Sequence, residues 1–249
     1  MTTAARASVV RITGEPTAVP QALRALHRAL PVDAVVRVRL AAATRRGLGV
    51  AAAPTLGDLL HGAGFAEDEH SDAVDGRAAV RVRRLRTLPD SVAPGLRLLV
   101  VGLNPSLVAA DAGFGFAGPT NRFWKAAVAA GAVTTARHPD GALALDRLGM
   151  TDLVKRATPR SSEVTAVEYR AGAGRVARLV GWLAPAATCL VGLEGWRAAV
   201  DRRAGPGWQP GGWGGRAVYV MPSTSGLNAS ARLDDLVGHL RAALAGPEP

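Results

Sequence analysis

Residues 97–105 read RLLVVGLNP. The run is apolar without alternation and breaks at Asn-Pro, as a strand buried on both faces of a parallel sheet does. Two further segments repeat the pattern, ATCLVGL at 187–193 and RAVYVMPS at 216–223. Helical patterns accompany them at about 121–130, at 165–183, through Trp196, and at 231–244 (ARLDDLVGHLRAAL). Alternating strand and helix predicts an α/β layered fold with a mainly parallel sheet. The Gly-rich segment 204–215 (AGPGWQPGGWGG) reads as a surface connection.

Upstream the character differs. Strand patterns at 7–12, 34–41 (AVVRVRLA) and 78–86 (AAVRVRRLR) frame helical patterns at 19–30 and 55–63. Two of the strands alternate apolar and basic side chains, as half-solvated strands do. Gly64 and Phe65 stop the second helix. Glu67 to Asp75 is an acidic stretch expected to be a solvated loop. TLPDSVAPG (87–95), with two prolines, reads as a linker. The expected division is a small α/β segment over 1–90 and a larger α/β domain over 91–249.

Composition narrows the function. Of 249 residues, 48% are hydrophobic and 20% charged, which excludes a mainly disordered chain. No apolar run reaches the roughly 18–20 residues of a membrane span. The first residues lack the apolar core of a secretory signal, so a cytoplasmic location is expected. Lys and Arg number 30 against 20 Asp and Glu, a net charge of +10 carried almost wholly by arginine. Such an excess suits a polyanionic partner, with a merely solubilising surface as the alternative. The five histidines and the single Cys189 form no metal-ligand spacing, and no Walker or G-x-S-x-G loop occurs. Neither a metal nor another cofactor is expected.

Two strand ends carry unusual polar loops: GLNPSLVAADAGFGFAGPTNRFWK from Gly102, and MPSTSGLNAS from Met221. In an open parallel sheet both would face one crevice outside the carboxyl ends of the strands. From about Leu96 to Leu244 the chain resembles the mismatch-specific uracil/thymine DNA glycosylases. The landmarks are Gly102-Leu103-Asn104-Pro105, Gly113-Phe114-Gly115-Phe116 leading to Asn121-Arg122-Phe123-Trp124-Lys125, Gly149 to Arg156 followed by Thr158-Pro159, and Met221 to Leu227. Two positions depart from the family pattern: Ser106 replaces a glycine, and Ala229 stands where bacterial members carry an arginine.

The resemblance implies a three-layer α/β/α, uracil-DNA glycosylase-like fold. It implies a monofunctional DNA glycosylase that flips uracil, thymine or etheno-cytosine out of G-mismatched duplex DNA for base excision repair. Asn104 matches the residue that positions the attacking water. Related uracil-removing families place an aspartate or histidine in these two motifs, and this chain has neither there. Phe116 is expected to stack on the base, with Leu103, Ala109, Ala110 and Ser223 around it. Leu227 would be the wedge that fills the gap, flanked by Ser225, Gly226 and Asn228. Arg122, Lys125, Lys155, Arg156 and Arg160 are candidate phosphate contacts. Read without the resemblance, Asn104 is a turn residue, Phe116 a core residue and Leu227 a loop leucine folded onto the domain.

Residues 1–90 resemble the last strands and helices of class I S-adenosylmethionine methyltransferases, without the Gly-rich cofactor motif. They read as a truncated relic, or as an unrelated small cap. Double-stranded DNA is the expected partner of a monomeric protein that touches no membrane. The rival reading is a non-catalytic DNA- or nucleotide-binding protein on the same fold; against a third, a methyltransferase with VVGLNP as its cofactor loop, stand the lack of a G-x-G pattern there and the Ser-Gly-Leu loop.

Overall fold

The computed structural model describes residues 8–48, 53–68, 73–74 and 77–247. The N-terminal segment contains β1 (Val9–Ile12), α1 (Val19–Ala29), β2 (Val35–Leu40), α2 (Ala42–Leu48), α3 (Leu56–Gly62), β3 (Phe65–Glu67), a short hairpin of β4 (Ala73–Val74) and β5 (Arg77–Ala78), and β6 (Val80–Arg84). Its sheet has the order β1-β2-β6-β3, with β1 and β2 parallel and the other pairs antiparallel. α1 buries Val19, Leu23 and His27, residues four apart on one face. α3 starts at a capping box in which Thr55 and Asp58 exchange backbone hydrogen bonds.

The larger unit contains β7 (Leu98–Gly102), α4 (Leu107–Ala112), α5 (Phe123–Ala129), α6 (Pro139–Ala144), β8 (Leu148–Asp152), α7 (Ala166–Leu183), β9 (Ala187–Val191), α8 (Leu193–Ala199), β10 (Gly207–Trp213), β11 (Arg216–Met221) and α9 (Leu233–Ala245). Its five strands run β10-β11-β9-β7-β8, all parallel except the β10 edge. β7 lies between β9 and β8 and is buried throughout. Leu98 and Val100 pack with Phe123, Trp124, Leu236 and Leu240 on one face. Leu99 and Val101 pack on the other with α7, α8 and the buried residues of α1, β2 and β6. The fold is therefore a three-layer α/β/α with a mainly parallel sheet, and its core runs on into the N-terminal segment.

Several elements differ from the sequence-based expectation. Residues 204–215 are not a loose connection: β10 is an antiparallel edge strand, irregular between Gln209 and Trp213. Buried Trp213 holds it by packing on Trp196, ring centroids 5.0 Å apart. Pro210 is tolerated because an edge strand has an unpaired side. β8 was hidden inside a motif, and α2 and β3 carry no strong pattern. Residues 87–95 connect the two sheets but are far from a solvated linker, since Thr87, Leu88, Asp90, Ser91 and Val92 are buried. Ser91 bridges Met150. Much of the acidic stretch, and the chain start at 1–7, lie outside the described residues.

His27 locks the N-terminal layer. Its Nε2 contacts the Leu85 carbonyl at 3.1 Å and its ring meets Phe65 edge-on. Burial, then the nearby Arg84 cation, push its pKa down to about 4. The folded chain thus binds fewer protons than the unfolded chain between the ordinary histidine value of 6.5 and about 4. Stability is lost as pH falls through that window. Thermal unfolding should show a Tm that drops on acidification, and His27→Gln should flatten the largest part of that drop.

Candidate active site

The carboxyl ends of β7, β8 and β11 open into a cavity of about 450 Å3. Gly102, Leu103, Asn104, Phe116, Asp152 and Thr158 lie in its wall, with the 223–227 loop at its rim. This is the crevice where an open α/β sheet places ligands.

The chain turns at Pro105 and enters α4 through Ser106, whose hydroxyl accepts from the Ala109 N–H at 3.1 Å. A serine there caps the helix, which a glycine could not do through a side chain. Asn104 sits on this turn with its amide orientation set by its neighbours. Its Nδ2 donates to Thr158 Oγ1 at 2.7 Å, to the Arg156 carbonyl at 3.1 Å and to the Pro105 carbonyl at 3.2 Å. Thr158 gives its one hydroxyl proton to the Arg160 carbonyl at 2.7 Å, so toward Asn104 it can only accept. The Asn104 Oδ1 is left without a protein donor among the described residues. An amide fixed in this way is an acceptor that can orient a water molecule.

Phe116 adopts a left-handed backbone, φ +58°, unusual for a bulky residue. The strain is held by its surroundings. Phe116 stacks on Phe123 at 4.1 Å with 20° between the rings. Trp124 Nε1 donates to the Gly115 carbonyl at 2.9 Å. One ring face of Phe116 is thus taken, and the residue contributes to the cavity wall.

Sequence reasoning missed Asp152, the one carboxylate in that wall among the described residues. It closes β8 opposite Gly102, and a Cβ on Gly102 would collide with Asp152 Oδ1. Its side chain is 15% exposed. Burial raises its pKa above the ordinary carboxylate value; Lys155 opposes the rise and Asp90 adds to it. A signal existed, since a polar residue ending an apolar strand run is where such sheets put their chemistry.

Behind Asp152 lies a buried ion cluster. Asp90 Oδ1 receives hydrogen bonds from Lys155 Nζ at 2.9 Å and Thr151 Oγ1 at 2.6 Å. Asp90 Oδ2 receives one from Arg175 Nη1 at 2.8 Å. Arg175 Nη2 also donates to the Asp152 carbonyl at 2.7 Å, and Lys155 Nζ stands 3.7 Å from Asp152 Oδ2. Burial alone would raise the Asp90 pKa, but Arg175 and Lys155, with the hydrogen bonds, hold it below its usual range. Two carboxylates face two cations, so the cluster is neutral when all are ionised.

A family model described as the uracil DNA glycosylase superfamily matches residues 89–244. The chain belongs to the uracil DNA glycosylase superfamily. Its activity class is that of a DNA glycosylase hydrolase acting on uracil, and DNA is its partner.

The remaining expected residues of the glycosylase divide. Lys155 is 1% exposed and ion-paired, so it is no phosphate contact; it was misread because an exposed and a buried lysine look alike in sequence. Arg122 also serves inward. Its guanidinium donates to the carbonyls of Ser225 at 2.9 Å, Asn228 at 2.7 Å and Ala231, clamping the rim loop. Arg156 is exposed but paired with Glu168 at 2.7 Å, and Lys125 is exposed on α5 outside the cavity wall. Arg160 and Ser223 line the cavity. Ala109 lines it beside Leu88, whereas Ala110 is buried away from it, because α4 turns that side chain elsewhere. Asn228 Nδ2 donates to the Ser223 carbonyl at 2.8 Å. Gly226 passes so close to Thr120 that a Cβ would lie 2.5 Å from its side chain. Leu227 is 92% exposed at the rim and does not fold onto the domain. Among the described residues no cluster of His, Cys, Asp or Glu could hold a metal.

Removing Asp90 would leave Lys155 and Arg175 buried without their shared carboxylate. Asp90→Ala should therefore cost about 3–5 kcal/mol of stability, read as a lower urea midpoint at unchanged slope.

Proposed function

We propose that the protein is a monofunctional, mismatch-directed DNA glycosylase that hydrolyses uracil, with room for thymine or etheno-cytosine, opposite guanine in duplex DNA. The observation that carries this reading is the meeting, in one cavity, of the oriented Asn104 amide, the Phe116 ring and the buried Asp152 carboxylate. The target base leaves the stack and enters the cavity. It stacks on the Phe116 face turned away from Phe123. Asn104 Oδ1 holds a water against C1′ of the sugar. As the N-glycosidic bond breaks, the electron pair leaves with the base, whose negative charge is met by backbone N–H groups around Leu103 and Phe116. The water oxygen bonds to C1′, and its proton passes to the Asp152 carboxylate. The products are the free base and an abasic site.

Two observations support hydrolysis without strand cleavage. The chain has only two lysines, Lys125 and Lys155, and neither lines the cavity. Lys155 is also held by Asp90, so it offers no free amine for a Schiff base. The mismatch reading rests on the 221–227 loop, whose exposed Leu227 suits insertion into the stack beside a flipped base. The N-terminal segment is proposed to be a docked adjunct of the catalytic unit.

A strand-nicking assay on uracil-containing oligonucleotides with each base opposite tests the reading. Excision fastest opposite guanine is expected; no abasic product would leave a non-catalytic DNA-binding protein. Asn104→Ala should lower the single-turnover rate by about 100-fold or more while DNA affinity stays within a few-fold. In the wild type the rate should fall as pH drops through the raised pKa of Asp152, because only its carboxylate accepts the proton. Asp152→Asn should be slow and lose that acid limb.

The wedge role separates from the chemistry. Leu227→Ala should slow excision from duplex DNA much more than from single strands, and more opposite a well-paired partner than in a mismatch, since unstacking costs a few kcal/mol per step. Equal losses on both substrates would reduce Leu227 to a packing residue.

A further inference from the structure

Leu88 reaches the active-site cavity from the connection between the two sheets, one residue before the stretch that the family model matches. Its side chain is buried with Ala109, Ala117 and Phe114. Of that group only Leu88 and Ala109 line the cavity, and an alanine contributes a single methyl, so Leu88 supplies the bulk on this side of the wall. A recess of about 30 Å3 lies next to the cavity and shares Leu88, Gly115, Phe116 and Asp152 with it. The recess continues to Ser91 and Met150. Of the shared residues, Gly115 has no side chain, Phe116 is stacked on Phe123, and Asp152 stands 3.7 Å from Lys155. Leu88 is thus the aliphatic partition between the two spaces.

The backbone that carries Leu88 is fixed on both sides. Before it, the Leu85 N–H donates to the Gly64 carbonyl at 2.9 Å, and the Thr87 hydroxyl donates to the Lys155 carbonyl. After it, the Asp90 N–H donates to the Gly62 carbonyl at 2.8 Å, and the Asp90 carboxylate is held by Lys155 and Arg175. A close-packed wall anchored this tightly yields little to a larger guest.

We propose that Leu88 is a specificity-determining residue: it closes the cavity against one edge of the base stacked on Phe116 and caps the size of base that the site accepts. The inference rests on the glycosylase reading above. It gives the N-terminal segment a share in substrate choice, because Gly62 and Gly64 hold the connection from which Leu88 projects. An apolar wall discriminates by fit, and one methylene in a hydrophobic pocket shifts relative rates by about 10–200-fold. Cutting Leu88 back to alanine joins the recess to the cavity.

The test compares the full-length wild type and Leu88→Ala in single-turnover excision from duplexes holding uracil, 5-hydroxymethyluracil or etheno-cytosine opposite guanine. The last two add bulk on different edges of the ring. At least one of them should gain about ten-fold or more relative to uracil. The ratio is taken within one variant, so a lower Tm does not affect it. Leu88→Met, of similar volume, should keep the wild-type ratio, and Leu88→Phe should lower it. An equal change on all three bases would make Leu88 a packing residue and overturn the proposal. The same comparison is read as affinity for duplexes whose target sugar carries a 2′-fluorine, which disfavours positive charge at C1′ and so resists cleavage. A wild type that excised no base would sink the glycosylase reading, whereas affinity ratios unchanged by Leu88→Ala would sink the role of Leu88.

Discussion

Asp90 is a buried carboxylate held between two buried cations, Lys155 and Arg175, and most of the molecule converges on it. The three charges come from three places: the connection before β7, the turn after β8, and the middle of α7. No one of them could be buried alone at an acceptable cost. The Asp90 N–H also donates to the Gly62 carbonyl at 2.8 Å, which ties the end of α3 to the same point. Neighbouring Thr87 gives its hydroxyl to the Lys155 carbonyl. The N-terminal layer is thus joined to the catalytic unit through polar groups directly behind Asp152. α7 meets the same region at Gly172, where a Cβ would run into the Leu153 carbonyl.

The central strands were legible because burial on both faces leaves one signature, an unbroken apolar run. β7, β9 and β11 all carry it. β8 was less visible, because Gly149, Thr151 and Asp152 interrupt its apolar residues; it is specified by pairing with β7 rather than by its own composition. β10 was illegible for the opposite reason. Glycine and proline suggest a loop, and only the packing of Trp213 on Trp196 turns the segment into a strand.

The site was legible where a motif names a position and obscure where the fold decides. Asn104 and Phe116 stand on loops whose sequence is distinctive. The role of Arg122 is decided by what lies 103 to 109 residues further on, three backbone carbonyls that no local pattern announces. Lys155 and Arg156 are adjacent in sequence, yet one is buried against Asp90 and the other pairs with Glu168 in solvent. Charge type alone cannot separate them; the direction in which each side chain leaves the turn after β8 does.

The Arg122 clamp has a consequence for how damaged DNA would be found. Three carbonyls of the Leu227 loop are fastened before any DNA arrives, so the ordering entropy of the loop is already spent. If Leu227 acts as the proposed wedge, it need not reshape itself at each base pair it meets. Under the proposed wedge role, discrimination would pass to the nucleic acid: steps that unstack easily would yield to the protruding leucine, and well-stacked ones would not. On the proposed wedge role, the protein would in effect measure the local softness of the duplex before it reads any base.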